Sequence, residues 1–155
     1  MKGDMNHSVE IAKGLGSIKF GFSTKDVEGC LGVPDETEIV DPETDVSELW
    51  LYKSLKLQIL FLRSSFYSAE VADDLKHVVQ LSSRNPATTL WGERIIGRPQ
   101  SEVLTLFKAR GYEAFVERNE TLPTSGYKAL RLESIRVTLD FKDGLLRNVL
   151  WGTLF

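Results

Sequence analysis

The chain has 155 residues, 42% apolar and 26% charged, with a formal net charge of −3. This is the profile of one globular domain, or of two small halves sharing an interface, and it gives no reason to expect a nucleic-acid partner. A single cysteine, Cys30, excludes an internal disulfide and a cysteine-based zinc site.

The N-terminal stretch MKGDMNHSVEIAKGLG lacks the apolar run of a secretory signal or a membrane span. Residues 1–14 are therefore expected to form a flexible arm, and the protein to be cytoplasmic with no membrane partner. From Leu15 onward the chain repeats itself. LGSIKFG (15–21) lies opposite WGERIIG (91–97), and FSTKDVEGCLG (22–32) opposite RPQSEVLTLFK (98–108), both at an offset of 76. Both of the latter are predicted helices. Ser23 or Thr24 can cap the first, Pro99 suits the first turn of the second, and Asp26 and Glu102 sit early, where the helix dipole favours acids. Cys30, at helical spacing beside Val27 and Leu31, reads as a small buried thiol.

After each helix come short β-type runs. Glu38–Asp41 faces Ala114–Glu117, then ELWLY (48–52) faces KALRL (128–132). LKLQILF (55–61) faces IRVTLDF (135–141), and LKHVVQL (75–81) faces LRNVLWG (146–152), the last at an offset of 71. Period-2 alternation marks Leu55–Phe61 and Ile135–Phe141 as strands, with hairpin turns at Lys53-Ser54 and Glu133-Ser134. The expected fold class is α+β: two tandem helix-plus-four-stranded antiparallel meander repeats, helices packed on one sheet face. The repeats would span 15–82 and 91–155, joined by a linker over 83–90, in one compact domain. The other sheet face would stay open.

GFSTKDVEGCLGVPDE (21–36), with the strands after it, resembles the Gly-x-Ser/Thr-x-x-acid-Val…Leu-Gly-x-Pro segment of the SmpA/OmlA lipoprotein family. The tandem arrangement resembles the β-lactamase-inhibitor-protein fold. The chain departs from both: there is no lipobox cysteine, one Cys cannot form the inhibitor's disulfides, and GRPQSEV fits the segment less well. The resemblance implies a non-enzymatic, protein-binding role of the kind served by immunity proteins of toxin systems.

No cofactor, metal site or catalytic set is expected. A Ser-His-Asp set exists only on paper, from Ser82, His77 and Asp73 or Asp74, without a nucleophile elbow. DPETDV (41–46) lacks the glycine that a calcium loop needs at its sixth place. The segment 35–48 holds seven acids and no base, so Asp41, Glu43 and Asp45 are expected to attract a basic partner such as a toxin domain. By parity, Trp151 shares the open face with Leu51, Leu60, Val78 and Val149, opposite a buried Leu146/Leu150 set. Lys56, Gln58, Gln80, Arg136, Thr138 and Asp140 supply the polar groups around it. Trp50 and Tyr52 are expected in the core.

The reading is a non-enzymatic protein-binding module, of immunity-inhibitor type, that docks a partner on this face with Trp151 as anchor. A homodimer mate, the loop 62–74 or the C-terminal Leu154-Phe155 are the competing covers. The alternative is a small-molecule-binding protein or an unrecognised enzyme, with a pocket between the halves served by Arg131, Arg136, Glu133 and Asp140.

Overall fold

A computed structural model describes residues 6–63, 75–118 and 126–153. Three short strands open the chain: β1 (Ser8–Glu10), β2 (Gly14–Leu15) and β3 (Ile18–Lys19). Helix α1 (Thr24–Leu31) follows, then β4 (Glu36–Ile39), β5 (Ser47–Tyr52), β6 (Leu57–Arg63) and β7 (Lys76–Ser83). Two more short strands, β8 (Thr89–Leu90) and β9 (Glu93–Arg94), precede helix α2 (Gln100–Lys108). The chain ends with β10 (Val116–Arg118), β11 (Tyr127–Leu132), β12 (Val137–Lys142) and β13 (Leu145–Gly152).

The strands form two sheets. The larger has eight strands in the order β10-β11-β12-β13-β7-β6-β5-β4, and the smaller five in the order β3-β2-β1-β8-β9. The expected α+β fold of two tandem helix-plus-four-stranded meander repeats is thereby corrected. The chain is predominantly β, and among the described residues only two α-helices occur, of eight and nine residues. The expected arm and linker are corrected with it. Ser8–Glu10 and Gly14–Leu15 are strands, Thr89–Leu90 is a strand, and β1 pairs in parallel with β8 through Ser8↔Thr89 and Val9↔Leu90. Strands of two or three residues are too short for alternation to show, and a pairing across some eighty residues leaves no local signal.

Local chemistry explains the helix ends. Ser23 caps α1 with a capping box: its Oγ accepts from the Asp26 amide and the Asp26 carboxylate accepts from the Ser23 amide. Gly32 stops the helix at φ 82°, where a side chain would be strained, and its N–H donates to the Glu28 carbonyl. Pro99 starts α2 without a side-chain cap.

One face of the large sheet carries the core. Ile59, Phe61, Leu81, Leu139, Phe141 and Trp151 form a single buried cluster with Val27 of α1, Val103 and Phe107 of α2, and Val9, Leu15, Leu90 and Ile95 of the small-sheet layer. Trp50 and Tyr52 join it. Burial of this size contributes roughly 1.5–3 kcal/mol for each large apolar side chain.

Two β-bulges decide which side chains face that core. On β13, Asp140 pairs with Asn148 and Phe141 with Leu146, leaving Arg147 as the extra residue. On β7, Leu60 pairs with Gln80 and Phe61 with Val78, leaving Val79 as the extra residue. A single inserted residue reverses the alternation beyond it. Val149 and Trp151 therefore point inward, and Leu150 faces the other side. Ile59 faces Leu81 and Leu139 faces Val149, so paired positions in the two strands lie 68 residues apart, not the 71 expected from the sequence.

Candidate functional site

The face of the large sheet opposite the core is the candidate surface. Strand register lays its residues out in rows. Leu51, Gln58, Ser82, Leu150, Thr138, Arg131 and Val116 follow one another across seven strands. Asn148, Asp140 and Ala129 form the row on one side, and Leu49, Leu60 and Gln80 the row on the other. Leu49, Leu51, Leu60, Leu62 and Leu150 are partly exposed, and none belongs to the core cluster.

Polar side chains on this face are tied to one another. The Ser82 hydroxyl donates to Asn148 Oδ1 at 2.8 Å, and Asn148 Nδ2 donates to Asp140 Oδ2 at 2.9 Å. Arg131 donates through Nη1 to the Thr138 hydroxyl and through Nε to Glu133, each at 2.9 Å. Such linked groups hold one another in fixed rotamers, so the polar part of the face is ordered before any partner arrives.

The expected anchor is misplaced. Trp151 is fully buried, and its Nε1 donates to the Gly14 carbonyl at 3.0 Å. Val78 and Val149, expected beside it, are also core, while Leu150, expected inside, lies outside. The bulges at Val79 and Arg147 are the physical cause. Lys56 and Arg136 are not on the strand face either: both sit in left-handed turn positions at φ 51°. Gln58, Leu60, Gln80, Thr138 and Asp140 do lie on it. Ser82, Asn148 and Leu49 were missed, because only the cross-strand register brings them to this surface. The loop residues 64–74 and the terminal Leu154-Phe155, expected as covers, lie outside the described residues, as do Asp73 and Asp74.

The acidic loop is partly neutralised from within. Asp45 pairs with Arg63 Nη2 at 2.7 Å and with Lys76 Nζ at 2.6 Å, and Lys76 also reaches Glu48 at 3.0 Å. Trp50 Nε1 donates to the second Glu48 oxygen at 2.7 Å. Hydrogen bonding and charge from Lys76, then Arg63, outweigh desolvation and hold the Asp45 carboxyl below its ordinary range. Burial alone would lower Lys76, but the hydrogen bonds and charges of Asp45 and Glu48 raise it above its ordinary value. Asp45 is thus a structural ion-pair member whose side chain is still half exposed, while Asp41 and Glu43 are exposed. On the core side, burial, then the charges of Glu28, Asp35 and Cys30, push the Tyr52 hydroxyl to about 12, and it donates to the Gly32 carbonyl at 2.7 Å.

Among the described residues no three His, Cys, Asp or Glu side chains converge as metal ligands, and no buried side-chain N or O atom lacks a hydrogen-bond partner. No helix among them is long and apolar enough to cross a membrane.

No family model matches this chain, and no curated protein does. Among solved structures it is similar to an extracellular protein containing a SCP domain from Bacillus anthracis str. Ames, at 14% identity and a TM-score of 0.47. The match covers 86% of this chain and 43% of that one, so the chain spans less than half the length of the structure it resembles.

Proposed function

We propose that this protein is a non-catalytic binding module that docks another protein on the outer face of the eight-stranded sheet. The observation that carries this reading is the set of leucines at 49, 51, 60, 62 and 150, partly exposed and outside the core, beside an ordered polar network. Each leucine that a partner covered would contribute up to roughly 1.5–3 kcal/mol, and the polar groups are already satisfied. The mechanism is steric occlusion of the partner's own site. Its most specific form is a cytoplasmic immunity-type inhibitor, a form supported by the likeness of residues 21–36 to the lipoprotein-family segment and by Asp41 and Glu43, which stay free to guide a basic partner. A second copy of the chain is the competing occupant.

The test uses Leu60→Lys together with Leu150→Lys, two outward positions whose exchange leaves the core intact. The native chain, immobilised, is expected to retain a defined protein from lysate of its source cells. The double variant is expected to lose it while melting at a similar temperature. Retention unaffected by the two lysines, or self-association in light scattering that they abolish, would overturn the reading.

A further inference from the structure

A second feature lies at one end of the large sheet, where it meets the leucine face at Leu51. Beyond Ser83 the chain leaves β7, whereas β13 continues to Leu145, and a groove of about 930 Å³ opens between the β5–β6 turn, the segment after β7 and the β12–β13 hairpin. Lys53, Lys56, Arg84, Lys142 and Arg147 line it, with Asp143 as the one acid. These six positions sum to +4 in a chain whose net charge is −3.

Four of the five cations are placed by backbone features, while Lys53 is held by acids, its N–H donating to Asp35 Oδ2 at 2.7 Å and its ammonium pairing with Glu36. Lys56 occupies a left-handed turn position. Arg84 follows as its N–H donates to the Lys56 carbonyl at 3.0 Å, and Asn85 Nδ2 donates to the Leu55 carbonyl at 2.9 Å. Asp143 and Gly144, at φ 52° and 83°, turn the hairpin that presents Lys142. Arg147 is the bulge residue of β13. The far wall is tied down by Gly97 N–H donating to the Leu146 carbonyl at 2.7 Å, and Leu146 N–H to the Arg98 carbonyl at 2.8 Å.

Compensation is incomplete. Lys53 pairs with Glu36 at 3.3 Å, and the Lys142 ammonium lies 5.2 Å from the Tyr127 ring centre. Lys56, Arg84 and Arg147 have no carboxylate within 4 Å among the described residues. Three uncompensated cations around one concavity repel one another, and an anion bound between them removes that cost. Arginine forks and lysine ammonium groups together match the non-bridging oxygens of phosphate. Leu51, Pro86, Ile96 and Leu145 complete the walls, and the volume falls in the range of small-molecule sites and exceeds what phosphates alone would fill.

We infer that this groove binds a pyrophosphate-bearing small molecule, its phosphates held by Arg84, Arg147 and Lys56 and its less polar body laid against Leu51 and Ile96. The groove shares Leu51 with the protein-docking face, but its cations do not belong to that face's leucine set, and its test uses none of the residues exchanged there. The experiment is a titration of the full ¹⁵N-labelled chain with sodium pyrophosphate, ADP and, as a non-phosphate polyanion, citrate, at low and at about 0.15 M salt. Saturable shifts are expected for amides of 53–56, 84–85 and 142–147, with pyrophosphate and ADP both binding and ADP the tighter. Equal affinities for the two would locate recognition in the phosphates and exclude a body-binding wall. Arg84→Ala with Arg147→Ala, both exposed positions, is expected to weaken binding by about tenfold or more at an unchanged melting temperature. Lys108→Ala on α2 is expected to change nothing. No saturable shift at low salt, citrate binding as tightly as pyrophosphate, or affinity indifferent to the double variant would overturn the inference.

Discussion

The two ends of the large sheet carry opposite charge and treat it in opposite ways. At the end formed by the β4–β5 loop, acids that crowd one stretch of sequence meet cations from strands 18 and 31 residues further on: Asp45 is held by Arg63 and Lys76. At the other end, cations scattered from Lys53 to Arg147 converge on one groove and find a single carboxylate among its lining. The dense charge run is thus partly neutralised by ion pairs, while of the dispersed cations Lys56, Arg84 and Arg147 have no carboxylate partner among the described residues. Free charge, not charge density along the chain, marks a surface that can recognise something.

Both ends hang on one eight-stranded sheet, and the largest expected effect tests the core beneath it. Trp151→Ala removes a fully buried indole from the middle of the core and its hydrogen bond to Gly14. It should cost about 3–5 kcal/mol, read as a fall in melting temperature of roughly 10 °C or more. A loss of partner capture with stability intact would return Trp151 to the outer face.

The next effect separates the ends. Lys76→Met leaves Asp45 and Glu48 without their shared cation. Lys76 is nearly buried and Asp45 half exposed, so the loss should be about 1–2 kcal/mol, smaller than for a fully buried pair. Denaturant unfolding checks it. An unchanged midpoint would mean that the acidic end is no more neutralised than the sequence suggests.

The smallest effect is one of pH. Asp45 titrates lower in the folded chain than in the unfolded one, so its contribution is complete above about pH 4 and is lost as pH falls below that, through its depressed value. Lys76 titrates higher when folded, so its share holds below about pH 10 and is lost only above. The difference in melting temperature between the native chain and Asp45→Asn should be constant from about pH 5 to 8 and should close in acid. A gap that failed to narrow as the pH was taken progressively below about 4 would place the stabilisation elsewhere.

Much of the large sheet could be read directly. Leu57, Ile59 and Phe61, and likewise Val137, Leu139 and Phe141, alternate inward as written, and they are buried. Ser23 with Asp26 announces α1 and Gly32 its end. The candidate surface was half legible: Gln58, Leu60, Gln80, Thr138 and Asp140 are where alternation places them. Trp151 was not, because Arg147 is inserted against the Asp140–Phe141 step, and a bulge leaves no mark in a pattern of apolar residues. The small sheet was invisible for a different reason, since Ser8–Glu10 owes its strand state to Thr89–Leu90.

By itself the sequence determined where the two helices start, which long strands alternate, and that one cysteine can bridge to no other. Those properties depend on neighbours within a few residues, where propensity and period act. Only the tertiary structure decided that Trp151 faces inward, that Asp45 is bound by Arg63 and Lys76, and that Lys56, Arg84 and Arg147 share a groove. Each of these is set by register between strands distant in sequence, and one inserted residue is enough to turn a side chain from one face to the other.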